Sequence, residues 1–140
     1  MSAVLKDTES RPARAEGLLF LQVMLGLQIV LGLLWGVSML FFARQIVLDP
    51  NPYGAHIEKI AIEGAAHMAL VFGAFLVWRA PQQGRSALLV MIFLNGLWAL
   101  TDLAYIPLLG LDAIDFYVKL IVNAVLAIGL AVAGRRARII

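Results

Sequence analysis

Residues 17–43 form a run of 27 without a single ionisable side chain, bracketed by Glu16 and Arg44. As a helix such a run would cover roughly 40 Å, more than the ~30 Å hydrocarbon layer of a bilayer. The expected structure is a membrane-crossing helix that tilts, bends at Gly26, Gly32 or Gly36, or protrudes. The run is too long for a signal-peptide core and lacks a clean small-x-small cleavage site, so it reads as a retained span. The rest of the chain agrees. Hydrophobic residues make up 62% and charged residues 14%, with a mean hydropathy of +0.91. A soluble domain has roughly 45–50% apolar and about 25% charged residues. A disordered protein, a nucleic-acid module and an ordinary soluble enzyme are all excluded.

Three further apolar segments follow, at about residues 57–78, 86–106 and 113–134. The links between them carry turn chemistry. Asp49-Pro50-Asn51-Pro52 stops the first helix, and Ala80-Pro81-Gln82-Gln83-Gly84 turns the chain with Ser86 placed to cap the third. Pro107 and Gly110 turn it again, with Asp112 as N-cap of the fourth helix and Asp115 at its third position. Short links make sequential helices antiparallel neighbours. The fold expected is an all-α, four-helix transmembrane bundle over residues 17–134, with a polar tail at 1–16 and a basic tail at 135–140.

Charge is placed by topology. Lys6, Arg11, Arg14, Arg79, Arg85, Arg135, Arg136 and Arg138 fall on the side that holds both termini, and only Arg44, Lys59 and Lys119 on the other. By the positive-inside rule both termini are cytoplasmic, in a multi-pass plasma-membrane protein. The pI near 9.3 has this origin, so the partners expected are membrane lipids, and nucleic acid is not one. Cysteine is absent, which removes thiolate metal sites and thiol redox chemistry. His56 and His67 are the only histidines and sit eleven residues apart on one helix or at its end, poorly placed to hold a haem. No metal site is expected, and the sequence names no cofactor.

Ionisable side chains inside a span cost about 2.5–3.5 kcal/mol each on insertion scales. Glu63, His67, Asp102 and Lys119 remain after caps and links are set aside, with Asn95 and Asn123 as uncharged companions. Counted from the helix ends remote from the termini, Glu63, Asp102 and Lys119 form one tier. His67, Asn95 and Asn123 lie about one turn deeper. Asp102 and Lys119 each oppose their own helix dipole and can meet across the last hairpin, so the pair reads as a salt bridge that fixes the hairpin or as a gate or proton relay. Glu63 and His67 stack four residues apart. They read as an interhelical packing cluster, an acid–base pair or a ligand anchor. Trp98, between Asn95 and Asp102 on one helix face, reads as a pocket wall. Tyr105, Trp78 and Trp35 read as interface anchors or lipid-facing residues, and Gln22 and Gln28 as interhelical hydrogen-bonders. Gly32-Leu33-Leu34-Trp35-Gly36 has small-xxx-small spacing. Glu63 to Lys119, His67 to Asn123 and Arg79 to Arg135 share one separation of 56 residues, the pattern a duplicated hairpin would leave.

Over about residues 55–105 the sequence resembles the DoxX-like and related small four-helix integral membrane proteins of bacteria. The matching elements are Glu63 early in the second span, the Arg79-x-Pro81 link, Ala87-Leu88-Leu89, and Asn95 and Asp102 in the third span. Some members accompany quinone-linked oxidoreductases as subunits, and the resemblance implies no catalytic residue. The small multidrug transporter pattern, with its glutamate in the first span, is not met.

Three functions fit these residues. One is a binding protein for a lipophile (quinone, isoprenoid or sterol-like) or an accessory subunit of a larger membrane complex. Its ligand set would be Glu63, His67, Asn95, Trp98, Asp102, Lys119 and Asn123. Another is an intramembrane isomerase or cyclase using Glu63, His67 and Asp102. The third is proton-coupled transport by a homo-oligomer.

Overall fold

The computed structural model describes residues 2–42, 55–109 and 114–140. Its helices are α1 (Ser2–Phe41), α2 (Ala55–Arg79), α3 (Arg85–Leu109) and α4 (Ile114–Arg136). Each contains a stretch long and apolar enough to cross a bilayer: Arg14–Phe41, Glu58–Arg79, Arg85–Ala104 and Tyr117–Arg136. This is the four-helix architecture of an integral membrane protein. Large apolar side chains such as Leu34, Phe72, Phe93 and Ile128 stand exposed around it, as lipid requires and water would not permit.

The helices form a square. α1 packs on α2 and α4, and α3 on α4 and α2, while among the described residues the diagonal pairs keep their backbones apart and meet only through side chains. The contact between α1 and α2 is the most extensive, and that between α2 and α3 the least. Glycine explains the first. A Cβ on Gly64 would lie 2.9 Å from the Met39 Cβ and 3.0 Å from the Gly36 carbonyl oxygen. Gly36 of the small-xxx-small pair therefore meets Gly64 backbone to backbone, while Gly32 faces Val71 and the His67 carbonyl, the membrane substitute for a hydrophobic driving force. On the α3–α4 hairpin, Leu88 lies opposite Gly134 and Gly96 opposite Ala127, close to the register expected from the polar residues. Leu21, Leu25, Leu70, Val77, Leu88, Met91 and Leu130 fill the half of the bundle nearer the termini.

The ends differ from the sequence reading in four places. α1 starts at Ser2 and runs as helix through the polar segment taken as a tail. The turn after α2 closes with Gln83 N–H donating to the Ala80 carbonyl and Gly84 N–H to that of Pro81. The Gly84 carbonyl then accepts from Leu88 N–H. That bond makes Gly84, and not Ser86, the N-cap, and the position is glycine because a side chain there would strike Val77. Pro107 lies inside the last turn of α3 rather than in the link; a proline there removes one hydrogen bond from an end that is already running out of them. Residues 135–140 are no free tail. Ile139 N–H reaches back to the Gly134 carbonyl and Arg138 N–H to that of Arg135, with Arg138 at φ 57°. This is a Schellman cap. It turns Ala137 and Ile139 into the core and leaves the three arginines exposed. Asp49, Pro50, Asn51, Pro52, Gly110 and Asp112, and the side chains of His56, Tyr105 and Asp115, lie outside the described residues.

Candidate functional site

Between the helices, at the end remote from the termini, lies one small cleft of about 30 Å³. It is lined by Trp35 and Met39 from α1, Glu63 and His67 from α2, Trp98 and Asp102 from α3, and Lys119 and Asn123 from α4. All four helices contribute two residues. The volume admits one or two waters or a group of that size.

His67 forms the floor and is nearly fully buried. The tight α1–α2 contact sets its neighbours on one side. The Trp35 ring meets it edge-on, with centroids 6.0 Å apart and planes at 67°. On the other side the Trp98 ring lies stacked, 4.6 Å away and 12° from parallel. Its Nδ1 is 2.9 Å from the main-chain carbonyl oxygen of Glu63. A carbonyl only accepts, so Nδ1 carries the hydrogen, and of the two neutral tautomers this is the one that makes Nε2 the acceptor. Among the described residues no buried side-chain nitrogen or oxygen lacks a partner. Nε2, with no protein bond, therefore faces the cleft the ring lines.

Above the imidazole, Lys119 Nζ stands 3.8 Å from Glu63 Oε1, with both side chains about one-third exposed. That distance is an ion pair without a direct hydrogen bond. It joins helices whose backbones are not in contact, since the long lysine crosses the diagonal of the square. Asp102 lines the same cleft as Asn123, Lys119 and Glu63. Two carboxylates thus face one ammonium.

Several expectations change. The Asp102–Lys119 bridge is replaced by Glu63–Lys119: the hairpin register does bring Asp102 near Lys119, but the lysine reaches past it to the second carboxylate. Glu63 and His67 do not join through their side chains; the imidazole bonds the Glu63 main chain while the carboxylate turns to Lys119. Asn95 does not line the cleft. Its amide donates to Gln28 Oε1 and to the Met91 carbonyl, both at 2.8 Å. Gln28 has the interhelical role expected of it, whereas Gln22 is exposed. The other proposed ligands, Glu63, His67, Trp98, Asp102, Lys119 and Asn123, all come together. Trp35 and Met39 were missed as lining residues, although both continue the stripe of Gln28 and Gly32 at helical spacing, which was the available signal. Among the described residues no three His, Asp or Glu side chains converge as metal ligands would.

Beneath the buried Gln28–Asn95 pair the interior is apolar down to the termini. The cleft therefore lies in the half of the bundle remote from the termini. Comparison with protein-family models, curated proteins and solved structures finds no match to this chain.

Proposed function

We propose that this protein is a bacterial plasma-membrane protein that holds the polar head of a lipophilic molecule, quinone, isoprenoid or sterol-like, at the end of the bundle opposite cytoplasmic termini. The observation that carries the reading is the buried His67, clamped between Trp35 and Trp98 with its Nε2 facing a cleft shared by Glu63, Asp102, Lys119 and Asn123. Burying that many polar groups in a span is costly. A structural bridge needs two of them; the remainder are accounted for by a polar guest. The cleft is far smaller than the ~300 Å³ of an enclosing ligand pocket, so only the head enters and the apolar body lies along the lipid-facing helices. The resemblance to DoxX-like proteins supports an accessory subunit that presents such a molecule to a larger complex.

Native mass spectrometry of the gently solubilised full chain tests this. A stoichiometric lipophile, lost in Glu63→Gln, is the expected result. Bulk phospholipid alone refutes it.

A second reading, an acid–base isomerase or cyclase, has its own supporting observation. The Nδ1–H bond to the Glu63 carbonyl fixes the imidazole tautomer and leaves Nε2 as a base aimed at the guest. In that case Glu63→Gln and His67→Ala abolish turnover but leave affinity nearly intact. Transport by a homo-oligomer is the least supported, because the apolar half of the core offers no polar route through one copy.

A further inference from the structure

We infer that the head group taken by the cleft is a hydroxyl that donates a hydrogen bond, so that the occupant is a lipophilic alcohol or phenol such as a prenol, sterol or quinol. The inference rests on the lipophile-binding reading and narrows it.

Three observations lead there. The first is size: about 30 Å³ accepts a single hydroxyl and excludes a phosphate or a sugar. The second is the balance of donors and acceptors. His67 Nε2 accepts, because Nδ1–H is committed to the Glu63 carbonyl, and the Asp102 and Glu63 carboxylates accept as well. The donors are Lys119, which faces Glu63 at 3.8 Å, and the Asn123 amide, and both line the cleft. A ketone or quinone oxygen can accept from Lys119 or Asn123 but leaves His67 Nε2 without a hydrogen. A hydroxyl supplies the missing hydrogen and still accepts from Lys119 or Asn123. Anionic heads meet two carboxylates against one ammonium. A lipophilic ammonium balances the second carboxylate but has no lone pair to accept from Lys119 or Asn123.

The third observation is where the apolar body would lie. Each charged lining residue has a large exposed apolar neighbour in sequence: Ile62 beside Glu63, Leu103 beside Asp102 and Val118 beside Lys119. The helix faces next to these cleft residues are thus lipid-facing, and α2 and α3, the pair in least contact, flank the cleft.

The test uses the full chain in phosphatidylcholine nanodiscs, with tryptophan fluorescence as readout, since Trp35 and Trp98 both line the cleft. The probes are farnesol, farnesyl methyl ether, farnesal and farnesylamine. Farnesol is expected to quench saturably, and the ether and aldehyde to bind at least about ten-fold more weakly, the cost of leaving buried acceptors unpaired. His67→Phe keeps an aromatic ring between the tryptophans but removes Nε2. It should shrink the alcohol-to-ether ratio to about two-fold, by weakening farnesol and leaving the ether unchanged. Asp102→Asn serves the same purpose if that variant does not fold. Equal affinity for alcohol and ether, or tighter binding of the amine, overturns hydroxyl selection while leaving lipophile binding standing. No saturable quenching by any probe, together with no co-purified lipophile, overturns both.

Discussion

Replacing Gly64 by alanine probes the contact on which the cleft depends. The added Cβ would lie 2.9 Å from the Met39 Cβ, 3.0 Å from the Gly36 carbonyl oxygen and 3.0 Å from the Leu40 nitrogen, against 3.4–4 Å for ordinary contact. Two of these atoms belong to the α1 backbone and cannot swing aside, so the helices must separate by roughly half an ångström. A gap of that size forfeits about a quarter or more of the dispersion energy of each pair along the seam, and overpacking of this kind costs about 1–3 kcal/mol. Gly73→Ala is the matched control. It sits on the same helix, and its nearest neighbour, Met91 Sδ, is 4.0 Å away. Reversible unfolding in mixed detergent micelles, followed by circular dichroism, should show Gly64→Ala destabilised by about 1–3 kcal/mol and Gly73→Ala within about 0.5 kcal/mol of the parent. Tryptophan emission should shift only in Gly64→Ala, because Trp35 is withdrawn from His67. If the two variants unfold alike, close backbone approach is not what holds α1 to α2.

Asn95→Leu should cost about 1–2 kcal/mol in the same assay by orphaning Gln28. The double variant with Gln28→Met should recover most of the loss, and additive losses would show that the amide pair is not coupled. Arg138 holds φ 57°, a conformation that strains any residue with a Cβ. Arg138→Gly should therefore stabilise the chain by about 1 kcal/mol, and a lower unfolding midpoint would contradict the cap geometry. The chain has no cysteine, and Gln82 is exposed in the α2–α3 turn. Gln82→Cys should react with a membrane-impermeant maleimide only after cells are opened; labelling of intact cells would invert the proposed topology.

How much of this was legible beforehand follows from what lipid does to a sequence. Span number, helical class and the positions of the short links could be read directly, because an unpaired peptide group cannot be left in hydrocarbon and a helix is the local way to pair it. The α3–α4 register could be read too, since Asp102, Lys119 and Asn123 are rare polar marks on an otherwise uniform surface. Which helix faces inward could not be read from hydrophobic periodicity, for the lipid-facing side is as apolar as the core. The inner stripe of α1 is marked instead by Gly32, Gly36 and Gln28, and Trp35 was misplaced because that stripe was not followed to it.

Pairing was decided only by the tertiary structure. Lys119 has two carboxylates within reach, and one-dimensional spacing cannot tell which a flexible lysine will choose until α2 is fixed across the diagonal. Asn95 likewise left the cleft for Gln28, a partner 67 residues away. The C-terminal cap is a third case, since Ile139 and Ile140 become core residues only when Gly134 lets the chain turn back. Sequence determined which polar groups had to be buried, because their insertion cost is a property of each residue alone. The fold determined which of them meet, because that depends on the short-range geometry of four helices together.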